Sequence, residues 1–154
     1  MDDTGMRAPP RLYETTLDRA GLALGAGGLL GGAFVLLLVI VGGQRDPLSL
    51  FAAWLLGTLF TALGITAVAA PLWLAFHLAG WRGAWHAALL GAALAMIVFV
   101  AGQTYGFGLL DGPPSDGRTA LFRWFSATAT SALIALVAAG IAAAMWRIAY
   151  RPAR

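Results

Sequence analysis

Hydrophobic positions fall into four long blocks along this chain, and polar residues gather in the short stretches between them. The blocks run from about Ala20 to Gly43, Leu48 to His77, Ala84 to Leu110 and Thr119 to Trp146, and none contains Asp, Glu or Lys. Each exceeds the roughly 20 residues with which a helix crosses a hydrocarbon layer about 30 Å thick. The pattern predicts an all-α, polytopic membrane protein. Its four transmembrane helices form two antiparallel hairpins, with residues 1–19 as an N-terminal tail, 20–147 as the transmembrane domain and 148–154 as a C-terminal tail.

The breaks between blocks have recognisable chemistry. Gly42-Gly43 ends the first, and Asp46 followed by Pro47 gives an N-cap and a first helical residue for the second. That connection is short enough to make a hairpin. Pro71 lacks the N–H that the middle of the second helix needs and predicts a kink there. Gly80 closes the second block, and the run from Asp111 to Gly117, dense in Gly, Pro and Asp, separates the third from the fourth. Pro9 and Pro10 stop any earlier helix, so Arg11 to Arg19 reads as a frayed extension of the first span rather than a separate surface helix. The first apolar run is longer than the core of a secretory signal and follows an acidic tail, which predicts a retained span.

Arginine placement sets the expected orientation. The N-terminal tail, the second connection and the C-terminal tail hold Arg7, Arg11, Arg19, Arg82, Arg147, Arg151 and Arg154, against Arg45, Arg118 and Arg123 elsewhere. Loops rich in Arg stay inside, so both termini are expected in the cytoplasm. Trp73, Trp81 and Trp85 near one end, and Trp146 with Tyr150, read as interfacial anchors.

Composition supports the membrane reading. Of 154 residues, 60% are hydrophobic and 11% charged, where a soluble domain carries about 25% charged residues. Mean hydropathy is +0.79 and the isoelectric point about 10.2. The basic residues sit at span ends and in tails, which excludes a nucleic-acid stripe. The lipid bilayer is the expected partner. All ten basic residues are Arg; with abundant Ala and Gly, this points to GC-rich coding and a bacterial inner membrane. Without cysteine, disulfides, thiolate metal sites and Cys nucleophiles are excluded.

Small residues supply the packing signal. Gly21 and Gly25, Gly27 and Gly31, and Gly28 and Gly32 share the four-residue spacing that lets helix backbones approach closely, and Gly91 heads a similar face in the third span. Phe34 to Val41 is bulky and suits lipid. An internal repeat is also suggested. Leu29 to Ala33 aligns with Leu89 to Ala93, while Trp54, Thr58 and Thr61 fall on Trp124, Thr128 and Ser131. Two hairpins of like orientation would follow.

Reactive groups are few. His77 and His86 flank one turn, but two imidazoles without Cys or acid make a poor metal site, and no metal or cofactor is expected. Gln103, Tyr105 and Arg123 lie at similar depth and could form an outward polar pocket for an anion or lipid headgroup. The competing reading has Arg123 snorkelling to the interface and Gln103 bonding a neighbouring helix. Thr58, Thr61, Thr66, Ser126, Thr128, Thr130 and Ser131 are expected to serve packing or their own chain's carbonyls. No phosphate loop, Ser/His/Asp set or metalloprotease motif is present. The expected function is therefore non-catalytic: a helix-packing protein that forms a homo-oligomer or serves as an accessory subunit beside a membrane-protein partner. The alternative is a small transporter, channel or lipid-handling protein without intramembrane acidic coupling groups.

Overall fold

The computed structural model describes residues 13–103 and 116–152. It is all-helical apart from a two-residue antiparallel pairing of Tyr13 with Pro152 and Glu14 with Arg151. Four helical segments are long and apolar enough to cross a membrane: Leu17–Val41, Pro47–Leu78, Ala84–Ala101 and Gly117–Ala149. The first is α1, and the second divides into α2 (Pro47–Gly64), a π-helical segment (Ile65–Ala69) and α3 (Ala70–Leu78). The third and fourth are α4 (Ala84–Ala101) and α5 (Gly117–Ala149).

Local chemistry explains these boundaries. Thr16, Asp46 and Asp116 are extended N-caps whose side chains accept from the backbone N–H groups of Arg19, Ser49 and Thr119. Asp46 also accepts from the Ser49 hydroxyl at 2.7 Å. These bonds hold the Asp46 and Asp116 carboxyls below the usual carboxylate value, with the Ser49 and Thr119 side chains as the largest causes. The expected helical extension through Arg11 to Arg19 holds at Leu17–Arg19 and not at Tyr13–Thr16. Tyr13 and Glu14 are extended, and Thr16 starts the helix. The Thr16 hydroxyl accepts from one first-turn donor, the Arg19 N–H, which would otherwise be left to water.

Two C-termini close alike. Gly43 and Gly80 take left-handed φ values of +94° and +83°. Gly43 and Gln44 donate to Ile40 and Val39, while Gly80 and Trp81 donate to His77 and Phe76. Both pairs make the double bond of a Schellman cap, which glycine adopts without a Cβ penalty. Trp81 then packs its ring on Phe76, centroids 5.2 Å apart.

Pro71 acts through the turn before it. Its missing N–H and its ring disturb the preceding backbone, and the chain responds by widening. The Ala70 N–H reaches Ile65, five residues back, and Thr66 bonds its hydroxyl to the Ala62 carbonyl. One extra residue in the turn redirects the helix beyond it. Consequently α2 packs on α1, while α3 turns toward the start of α4 and the end of α5. Span three also passes into a π turn, at Gly102 and Gln103.

Glycine makes the helix contacts. A Cβ on Gly28 would sit 3.2 Å from Ala62 Cβ and 3.3 Å from the Thr58 carbonyl. Gly31 abuts Thr61, Gly32 abuts Thr58 and the Trp54 carbonyl, and Gly57 receives Val35. Beside Gly31 on α1, Gly27 meets Met145 and Ile65. Gly91 lets α4 approach α5, where a Cβ would lie 2.8 Å from Ala142 Cβ and 2.9 Å from the Ala138 carbonyl. All these pairings are antiparallel. Val35, expected to face lipid, belongs to this seam, whereas Leu37, Leu38 and Val41 are exposed.

The packing departs from the sequence repeat. Gly31 meets Thr61, so the aligned pair, Gly91 and Ser131, should also touch. Instead Gly91 meets Ala138 and Ala142, two and three helical turns beyond Ser131. The two hairpins therefore pack in different registers.

Candidate functional site

A connected set of polar and aromatic side chains lies where both ends of the described chain meet. Ala23 of α1, Ala149 of α5 and Tyr150 form a buried cluster, with Trp73, Met145, Trp146 and Ile148 packed against it. Tyr150 is only 4% exposed. Its hydroxyl lies 2.7 Å from His77 Nδ1, and its ring stacks on His77 at 23° with centroids 5.9 Å apart. Trp73 and Trp146 pack on it at 5.9 and 5.6 Å. Burial raises the Tyr150 phenol above its usual value, so the neutral hydroxyl is the form that holds His77.

A second set of bonds ties the α3–α4 turn to α5. Trp146 Nε1 donates to the Arg82 carbonyl at 2.9 Å, and Arg82 Nε donates to the His77 carbonyl at 3.4 Å. The turn is thus fixed through both backbone and side chain of Arg82. It joins α3 to α4 and is held by a residue of α5, which closes this end of the bundle.

The two histidines do not converge. His77 faces Tyr150, while His86 stacks on Trp81 at 5.5 Å. His86 Nδ1 is buried beside Gly83 without a hydrogen-bond partner. Among the described residues, no group of three or more His, Cys, Asp or Glu could hold a metal ion.

At the other end, Gln103 Nε2 donates to Ser131 Oγ at 3.4 Å, and Ser131 is fully buried. The structure thus pairs Gln103 with Ser131, about two turns deeper in α5 than Arg123. Arg123 is half-buried in α5, and Tyr105 lies outside the described residues. Thr130 gives its hydroxyl to the Ser126 carbonyl, as Thr66 does to Ala62.

Five of the seven glycines expected to pack helices do so within the molecule: Gly27, Gly28, Gly31, Gly32 and Gly91. Gly21 and Gly25 do not, for neither would place a Cβ within 4 Å of a neighbour. On α1 they continue the stripe of Gly28 and Gly32, since steps of three and four residues keep one face. Above, α2 fills that stripe. Below, the π segment has turned α3 away. What remains is an open, shallow face of α1 that bears Leu17, Asp18, Gly21, Leu22, Gly25, Ala26 and Leu29.

The buried role of Tyr150 is what sequence reasoning missed. A Tyr next to Trp and Arg at a span end looks like an interfacial anchor. The available signal was His77 at the end of another span, a partner for a phenol.

No protein-family model, curated protein or solved structure matches this chain.

Proposed function

We propose that this chain is a non-catalytic membrane subunit that works by helix packing, either in a homo-oligomer or as an accessory to another membrane protein. The observation that carries this reading is the half-filled seam on α1. Gly28 and Gly32 are closed by α2, and the same stripe continues onto an uncovered face at Gly21 and Gly25. Between helices in lipid, association rests on close van der Waals packing, and small residues permit it. A bacterial inner membrane with both termini in the cytoplasm fits the arginine distribution.

The test is the mass of the assembly in gently solubilised native membranes. The chain weighs 16.0 kDa. A particle holding several copies, or one stoichiometric partner, is the expected outcome. A lone chain under conditions that preserve other membrane complexes would refute it.

A second reading is favoured by one feature, the π segment ahead of Pro71. Broken spans are how transporters build sites at membrane depth, and π turns often accompany functional sites. In this reading α3 moves relative to α2. Flux of ions, small polar solutes or lipids across liposomes containing the purified chain is its test; a tight bilayer would dismiss it.

A further inference from the structure

We infer that the end of the bundle where the two ends of the described chain meet is a binding surface for anionic phospholipid headgroups, with Arg19, Arg82 and Arg147 contacting the phosphate. The first observation is how charge divides. The N-terminal tail, the α3–α4 connection and the C-terminal segment contain seven arginines and four acids, leaving +3. The other two connections, with the start of α5, contain three arginines and three acids, leaving zero. By sequence, the whole net charge of +3 therefore falls in the first group of segments.

Bonding separates the two sides further. At the far end, Arg45 gives its guanidinium to the Ile40 and Gln44 carbonyls, and Asp46 and Asp116 are spent as helix caps. At the termini, Arg19, Arg82 and Arg147 come from three different elements and none has a carboxylate partner among the described residues. Asp18, the acid described beside them, lies in the first turn of α1, where the helix dipole favours negative charge.

The three arginines border one rigid cluster. Arg82 is pinned by Trp146 and by the His77 carbonyl through Nε, which leaves its terminal nitrogens for a ligand. Arg147 follows Trp146 and is exposed. Arg19 stands one turn before Ala23, which packs with Ala149 and Tyr150. Trp81 and Trp85, 55% and 70% exposed, flank the Arg82 turn as headgroup-level aromatics do. Guanidinium binds phosphate oxygens in pairs, and basic clusters at a membrane surface draw anionic lipid, on the order of fivefold for each residue.

The test uses the intact chain and its own tryptophans. Brominated phosphatidylglycerol or brominated phosphatidylcholine is titrated into bilayers of phosphatidylcholine holding the protein, and tryptophan quenching is followed. The anionic lipid should quench at several-fold lower mole fraction, and added salt should narrow the gap. The triple variant R19Q/R82Q/R147Q should bring the two lipids close to equality. R19K/R82K/R147K should keep most of the preference, and R118Q at the far end should leave it unchanged. Equal quenching by the two lipids in the native chain would overturn the proposal. So would a preference that survives R19Q/R82Q/R147Q, or protection from quenching by inorganic phosphate, which would mark a site for a soluble anion. Should the glutamine variant misfold, the native lipid contrast and the lysine variant still decide.

Discussion

Tyr150 is the residue on which the closed end most depends. It is buried to 4% exposure among Trp73, His77 and Trp146, and it bonds the side chain of another span. Tyr150→Phe keeps the ring and removes the hydroxyl, leaving His77 Nδ1 without its partner. A lost bond of this kind costs about 1–2 kcal/mol. Tyr150→Ala also removes the ring and should cost roughly 3–5 kcal/mol, as large aromatic truncations in cores do. Thermal unfolding in one detergent should rank native, Phe and Ala in that order. An unchanged midpoint for Tyr150→Ala would mean that the terminal cluster contributes nothing. From the sequence this residue looked like a surface anchor, because local neighbours are all that a single position displays. Its burial follows from α3 reaching α5, a long-range consequence of the π turn.

Elements were more legible than residues. Uniformly apolar blocks ended by glycine and begun by Asp-Pro or a Gly-Pro-Pro run dictate where helices start and stop, and the caps at Asp46 and Gly80 formed from the residues expected. The different registers of the two hairpins were not legible, since Ala and Gly matches occur along any small-residue face. Nor was the direction of α3, because Pro71 announces a break but not how the backbone relieves it. Two predictions belong here. Gly28→Leu and Gly91→Leu push side chains into Ala62, Thr58, Ala138 and Ala142 and should destabilise the monomer by about 1–3 kcal/mol or more. Gly25→Leu opens onto empty space and should stay within about 0.5 kcal/mol of native. Melting of the three variants at equal detergent concentration checks the contrast. The caps give a pH dependence. Asp46 and Asp116 titrate below the ordinary carboxylate value because Ser49 and Thr119 bond the charged form. Their contribution is present above the unfolded value and is lost as pH falls through the depressed folded value, below about pH 4. The Asp46→Ser, Asp116→Ser double variant keeps uncharged caps, so its melting temperature should fall less over that range.

Among the faces the packed bundle leaves open, two bear on partners. One is the arginine-bearing end, and the other is the open glycine stripe on α1. Sequence spacing pointed to Gly21 and Gly25 as packing positions but could not say whether the partner lay inside the chain. The fold answers by elimination: α2 covers the upper stripe, and α3 leaves the lower one. This open stripe, on the proposed reading, seats a helix from outside the chain. Its most direct test is the size of the native complex carrying Gly25→Leu, beside native protein, in gently solubilised membranes. The substitution should leave the monomer folded and abundant but shift the particle down to the single chain. A complex of unchanged size and composition in Gly25→Leu would contradict it.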